Sequence, residues 1–288
     1  MTPETIAEAA QSEIIYGVKL YPAGVTTNSQ DGIKDIEQLY PVFDAMQKFD
    51  LILNVHGELP GATTLKAEAE YTPIIRRIHA AFPNLRIVLE HISTREGLET
   101  VRQCGPTVKG TITSHHLLTT FEDAEKDAFS FCKPIPKTLA DRIALVQAVI
   151  DGSSKFFFGS DSAPHPIESK KTNKDGERGD CAAGVFSMGW TTCLVLDALE
   201  IGTRCGWITK EQTTREAIEG FLSRYGRDFY RIPTSSSHSV DSESPKSRIR
   251  LERQGQTIPM SITSSDGKIE VVPFRRGEKT WSLYWIEG

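Results

Sequence analysis

At 288 residues, with 39% hydrophobic and 25% charged side chains, the chain can bury a sizeable core and has the balance of an ordinary soluble globular protein. A formal net charge of −5 at pH 7 gives no electrostatic reason for a nucleic-acid or anionic-membrane partner, so a small anionic ligand would need local positive charge or a metal. The five cysteines, Cys104, Cys132, Cys181, Cys193 and Cys205, are odd in number and lack CxxC spacing, which argues against a disulfide framework or a thiolate zinc site and points to the reducing cytoplasm.

The chain opens as a helix, not a signal peptide: Thr2 suits an N-cap, Pro3 the first turn, and Glu4 the positive end of the dipole. No run approaches the ~18 apolar residues of a membrane span. Five short apolar runs then recur: Val18–Tyr21, Leu51–His56, Arg86–His91, Val108–Thr113 and Lys155–Asp161. Their length and their branched or aromatic content suit buried strands. Helical patterns separate them. Pro41 to Phe49 places Val42, Phe43 and Met46 on one side, Thr72-Pro73 reads as a cap before Ile74, Ile75, Ile78 and Phe82, and Thr138 with Asp141 reads as a capping box before Leu139, Ile143, Val146 and Ile150. Alternation of strand and helix predicts a parallel sheet with right-handed crossovers. Beyond Asp161 come a polar loop from Glu168 to Asp180 and mostly helix to about Arg231. Pro233 to Gln256, rich in Ser and charge, reads as a solvated surface loop. Small strands are expected around Val271–Phe274 and Trp281–Trp285, and residues 1–288 are taken as one domain.

A parallel β/α sheet places its site at the C-terminal ends of the strands. His56, His91 and Asp161 each end an apolar run, and Lys19 sits within one. A lone strand-end histidine is more often a hydrogen-bonded structural residue. Collecting imidazoles and a carboxylate from separate strands, however, is how a barrel builds a zinc-type site. His79 in a helix, the His115-His116 pair and His238 in the Ser-rich stretch read as structural or surface residues.

Val18-Lys-Leu-Tyr-Pro-Ala-Gly24 with Thr26-Thr-Asn28, Val55-His-Gly-Glu58, Glu90-His-Ile-Ser93 and Gly159-Ser-Asp-Ser-Ala-Pro-His165 resemble the stand-alone dihydroorotases of bacteria and fungi, over essentially the whole chain. The resemblance implies a (β/α)8 TIM barrel with two zinc ions bridged by a carboxylated lysine and a hydroxide. Carried over, Lys19 would become a carbamate by reaction with carbon dioxide, and His56 and His91 would complete one zinc position. Asp161 would bind the other zinc and shuttle a proton. Thr26 and Thr27 resemble a loop over the substrate, His165 the histidine facing its carboxylate, and the main chain near Lys133 and Ala183 the ring contacts. The implied reaction opens the cyclic amide of dihydroorotate to N-carbamoyl-aspartate, reversibly, in de novo pyrimidine biosynthesis. The implied partners are that small molecule and, commonly in the family, a second copy in a homodimer.

One departure stands out: the seven histidines include no His-x-His pair, which the family carries at its first strand together with carboxylate-gripping Arg and Asn residues. Roughly the first three βα units are therefore expected to be missing from an eight-unit barrel. This leaves one zinc or none, and activity in doubt. The expectations to weigh are thus a dihydroorotase, a non-catalytic truncated paralogue, and a related cyclic amidohydrolase such as a dihydropyrimidinase, which the Thr26-Thr27 loop and Ala163-Pro-His165 disfavour.

Overall fold

The computed structural model describes residues 1–170, 181–232 and 248–286. Helix α1 (Pro3–Gln11) leads into β1 (Gly17–Leu20), then α2 (Tyr40–Lys48), β2 (Ile52–Val55), α3 (Ala67–Ala81), β3 (Ile87–Leu89), α4 (Arg95–Gln103) and β4 (Val108–Ile112). Helices α5 (Ser114–Leu118), α6 (Phe121–Lys126) and α7 (Leu139–Ile150) precede β5 (Phe156–Phe158), and α8 (Ile167–Lys170), α9 (Thr191–Arg204), α10 (Arg215–Glu219) and α11 (Tyr225–Tyr230) follow it. The five strands form one sheet in the order β1-β2-β3-β4-β5, every pair parallel, as the alternating pattern predicts.

Period-two alternation divides the strand residues between two faces. Leu53, Val55, Ile87, Leu89, Val108, Ile112 and Phe156 join Phe43 and Met46 of α2, Ile75 and Ile78 of α3, Leu98 and Val101 of α4, and Leu145 and Val149 of α7 in the main core. Ile52, Val88 and Phe157 point the other way and pack on Phe229 of α11. Each fully buried Leu, Ile or Phe contributes ~1.5–3 kcal/mol relative to exposure, so the helix-covered face supplies most of the sheet's stability.

Helix starts follow local chemistry. The Thr2 hydroxyl accepts from the Thr5 N–H, and Thr138 with Asp141 makes the expected reciprocal box at α7. The reading of Thr72-Pro73 as a cap is corrected, because Pro73 lies inside α3. Pro73 lacks the N–H that would serve the Ala69 carbonyl, and the Thr72 hydroxyl donates to that carbonyl instead at 2.8 Å. The neighbouring residue thus repairs the break that proline makes.

Two further expectations are corrected in part. Glu168 belongs to α8, not to a loop, and residues 171–180 lie outside the described residues. Of the stretch Pro233 to Gln256, residues 233–247, His238 among them, also lie outside the described residues. From Arg248 the chain is not a loop but a strand, β6 (Arg248–Thr257), which pairs antiparallel with β9 (Lys279–Ile286). Low hydrophobicity hid it, because a two-stranded ribbon shows one side to solvent. Short strands β7 (Ile262–Thr263) and β8 (Glu270–Val271) pair between them. Among the described residues no helix is long and apolar enough to cross a membrane.

Candidate active site

His56 leaves β2 with its N–H donating to the Leu20 carbonyl at 3.0 Å, on the same face as Ile52 and Asn54. Continued alternation in β3 would send His91 with Ile87 and Leu89 toward the helices. Its φ of +41° breaks the pleat, and its ring stands 4.7 Å from that of His56, tilted by 67°. The turn is held from β4: the Thr111 hydroxyl accepts from the His91 N–H at 2.7 Å and donates to Glu90 Oε2 at 2.7 Å. Asp161, beyond β5, also has a left-handed φ, +42°. Left-handed backbone in residues other than glycine is uncommon and concentrates at functional sites.

The charges suit a cation. Burial holds the His91 imidazolium well below its ordinary range, and the Lys19 charge adds to this, so His91 is a neutral donor. Its Nδ1 is buried with no hydrogen-bond partner among the described residues. Desolvation also lowers the Lys19 ammonium, against the attraction of Glu90 and Asp161. Asp161 is pushed up to about 6, chiefly by desolvation, with Glu90 adding and Lys19 opposing. Lys19 and Asp161 nevertheless keep solvent exposure. Two imidazoles, a carboxylate and a lysine of weakened proton affinity are a donor set that fits a zinc-type ion.

A cavity of about 500 Å³ lies beside these groups, lined among others by Thr26, Thr27, His56, His91, Lys133, Asp161, His165 and Ala183. The structure therefore brings together eight of the nine residues singled out from sequence. Lys19 is the exception. It lines a neighbouring apolar cavity with Val18, Leu20, Phe43 and Met46, and Tyr21 and Gly32 form the wall common to both. Its link to the main pocket is electrostatic, through Glu90 and Asp161.

The pocket rim is cross-tied. The Ala183 N–H donates to Thr27 Oγ1 at 3.0 Å, and His165 Nε2–H donates to the Ala183 carbonyl at 3.1 Å. The Thr26–Ser29 turn closes on itself, with Ser29 Oγ accepting from the Thr26 N–H at 2.9 Å and donating to the Thr26 carbonyl at 2.7 Å. Gly184 is required where it stands. Its φ is +158°, and a Cβ there would lie 2.5 Å from the Ala163 carbonyl and 2.8 Å from the His165 ring.

Four supporting residues escape the sequence reading. Lys170, 2% exposed, donates to the Phe131, Ala182 and Gly184 carbonyls at 3.0, 2.9 and 2.7 Å, welding the Lys133 turn to the Ala183 loop. Glu58 meets His56 at 2.7 Å. Glu68, 1% exposed, accepts from the N–H and hydroxyl of both Ser93 and Thr94, just beyond His91. Lys137, 3% exposed, acts on both carboxylates through its charge. The Glu58 signal was present in Val55-His-Gly-Glu58. The others are charged residues in ordinary helical or turn sequence, and nothing local marks them as buried.

Elsewhere His115, His116 and Cys132 place ligand-type atoms within 4.8 Å of one another. His116 is already committed, its Nδ1 to the Thr113 hydroxyl at 2.7 Å and its Nε2–H to the Pro134 carbonyl at 2.9 Å, and the Cys132 thiol donates to that carbonyl at 3.3 Å. His115, by contrast, keeps both ring nitrogens buried without a hydrogen-bond partner among the described residues.

Comparison with known proteins agrees with this geometry. Residues 2–168 match the family model described as Amidohydrolase. The dihydroorotase of Saccharomyces cerevisiae is 39% identical over 99% of this chain and 78% of its own length, and the probable dihydroorotase of Schizosaccharomyces pombe is 38% identical over 99% and 77%. The crystal structure of the Saccharomyces cerevisiae dihydroorotase in complex with 5-fluoroorotic acid superposes with a TM-score of 0.86 at 36% identity, covering 100% of this chain and 78% of that one. With a parallel β/α sheet, paired imidazoles at its strand ends and these relatives, the chain belongs to the dihydroorotase family of amidohydrolases.

Proposed function

We propose that this pocket opens the ring amide of dihydroorotate to N-carbamoyl-aspartate and closes it again, the ring-forming step of de novo pyrimidine biosynthesis in the cytoplasm. The observation that carries this reading is the convergence of His56, His91 and Asp161 on a cavity also lined by Thr26, Thr27, Lys133, His165 and Ala183.

Zinc would be held by His56, His91 and Lys19, the last as a carbamate, and Asp161 would serve a second ion. Burial favours the neutral Lys19 amine, which can add its lone pair to carbon dioxide and lose a proton to give the anionic ligand. When bound, the metal polarises a ring carbonyl and makes water nucleophilic near neutral pH. Asp161, pushed up to about 6, would take a proton from the attacking water and return it to the departing ring nitrogen. The His165 ring, aligned by the Ala183 carbonyl, would face the substrate carboxylate, and the Thr27 hydroxyl would be within reach of the same ligand. Main-chain groups near Lys133 would offer directional contacts for the planar amide edges, and those of Ala183 would do so only in exchange for their bonds to Thr27 and His165.

The test is ring opening followed by absorbance at 230 nm in both directions, on the purified chain supplied with zinc and bicarbonate, with metal content measured in parallel. Retained zinc with turnover that disappears in Asp161→Asn is the expected result. No turnover and no zinc uptake by the folded chain would overturn the reading.

A further inference from the structure

Glu58 follows His56 by two residues, and the two side chains meet at 2.7 Å between Nε2 and Oε2, each 2% exposed. The other oxygen, Glu58 Oε1, is buried with no hydrogen-bond partner. Among the described residues the imidazole is therefore the one hydrogen-bond partner that this carboxylate's buried atoms find, and a carboxylate oxygen accepts where the ring N–H donates. The buried Lys137 donates to the Ile135 carbonyl at 2.6 Å and interacts electrostatically with both Glu58 and Glu68. Glu68 in turn clamps Ser93 and Thr94, the residues that leave His91. Two buried carboxylates thus couple to one ammonium, one of them bonded to the His56 ring and the other to the backbone beyond His91. Placing anionic side chains there costs desolvation, which an apolar packing residue would have avoided.

We propose that Glu58 is a positioning residue that fixes His56 as the Nε2-protonated tautomer and leaves Nδ1 as its lone-pair atom for a metal ion. The tautomer half stands by itself, and the metal half rests on the site reading given above. Carboxylates that hold the far nitrogen of a metal-binding histidine typically contribute 10- to 100-fold to metal affinity.

The experiment uses the full chain labelled with 15N-histidine, with zinc alone as the probe against a competing chelator. In the metal-free chain, long-range 1H–15N correlations should show His56 protonated at Nε2. Glu58→Met should mix the tautomers and weaken zinc about 10- to 100-fold. In Glu58→Gln the amide oxygen can still accept from Nε2, so this variant should keep the tautomer and most of the affinity. Protonation at Nδ1 in the unsubstituted chain overturns the proposal, as does Glu58→Met with unchanged tautomer and unchanged zinc affinity. If the unsubstituted chain takes up no zinc, the metal reading fails, and the tautomer comparison alone decides the role of Glu58. If Glu58→Met does not fold, Glu58→Ala carries the same comparison, and an unchanged tautomer with unchanged zinc affinity there overturns the proposal.

Discussion

His116 offers a pH experiment whose size can be worked from the structure. The ring is 1% exposed, both nitrogens are bonded, and burial lowers its pKa from 6.5 to about 3, with the charge of Lys137 adding and the Pro134 carbonyl opposing. A histidine with a depressed folded pKa contributes nothing to the pH dependence above 6.5. As pH falls below that value the unfolded chain takes up a proton that the folded chain refuses, and stability falls until about pH 3. At pH 5 the linkage amounts to about 2 kcal/mol. Other groups add slopes of their own: His115 in the same direction, Glu68 and Asp161 in the opposite one. The measurement is therefore a difference. His116→Gln keeps an acceptor and a donor but cannot titrate, so it should be less stable than the unsubstituted chain at pH 7.5 and recover about 2 kcal/mol of that deficit by pH 5. Urea unfolding of both metal-free chains, read by tryptophan fluorescence at the two pH values, measures this. A deficit that changes by less than about 0.5 kcal/mol would refute a buried, neutral His116.

Lys170→Met retains the buried stem but strands three carbonyls. One is fully buried and two partly so, which gives a loss of about 3–4 kcal/mol, less whatever the ammonium's desolvation returns; a urea midpoint shift below about 0.5 kcal/mol would contradict the weld. Gly184→Ala should leave the global unfolding transition within about 1–2 kcal/mol, because the clash is local, yet weaken binding of an orotate analogue at least tenfold in titration calorimetry by displacing Ala163 and His165. Asp161→Asn should abolish ring opening and raise the melting temperature of the metal-free chain. A carboxyl with a raised folded pKa costs stability as pH rises from about 4 to about 6, so the gain should be full above pH 6 and vanish near pH 4. A gain independent of pH would mean that Asp161 is not desolvated.

The parallel sheet was legible because its strands are short apolar runs with polar ends, and all five lie within a residue or a few of the expected positions. The Thr138–Asp141 box was legible for a similar reason: both partners fit within one helical turn. Pro73 misled because its repair comes from the Thr72 hydroxyl, a contact visible only once the helix exists. In the site, His56, His91 and Asp161 were marked by what precedes them in the chain. Lys170 and Glu68 could not be marked in that way. Their partners lie 12 to 39 and 25 to 26 residues away, so burial comes from tertiary packing and not from local pattern. The open side of Lys19 was equally hidden, since residue spacing says nothing about which of two adjoining cavities a strand side chain enters.

The left-handed backbone at His91 and Asp161 has a consequence for how this pocket can change. At φ of +41° and +42° a β-branched or bulky side chain is strained, while glycine, asparagine, aspartate and histidine are accommodated. Backbone conformation thus screens substitutions at these two positions before chemistry does, and the side chains it passes are nearly all oxygen or imidazole donors. The single changes the fold accepts most readily there exchange one donor type for another. They tilt the pocket between softer and harder cations and leave the scaffold intact.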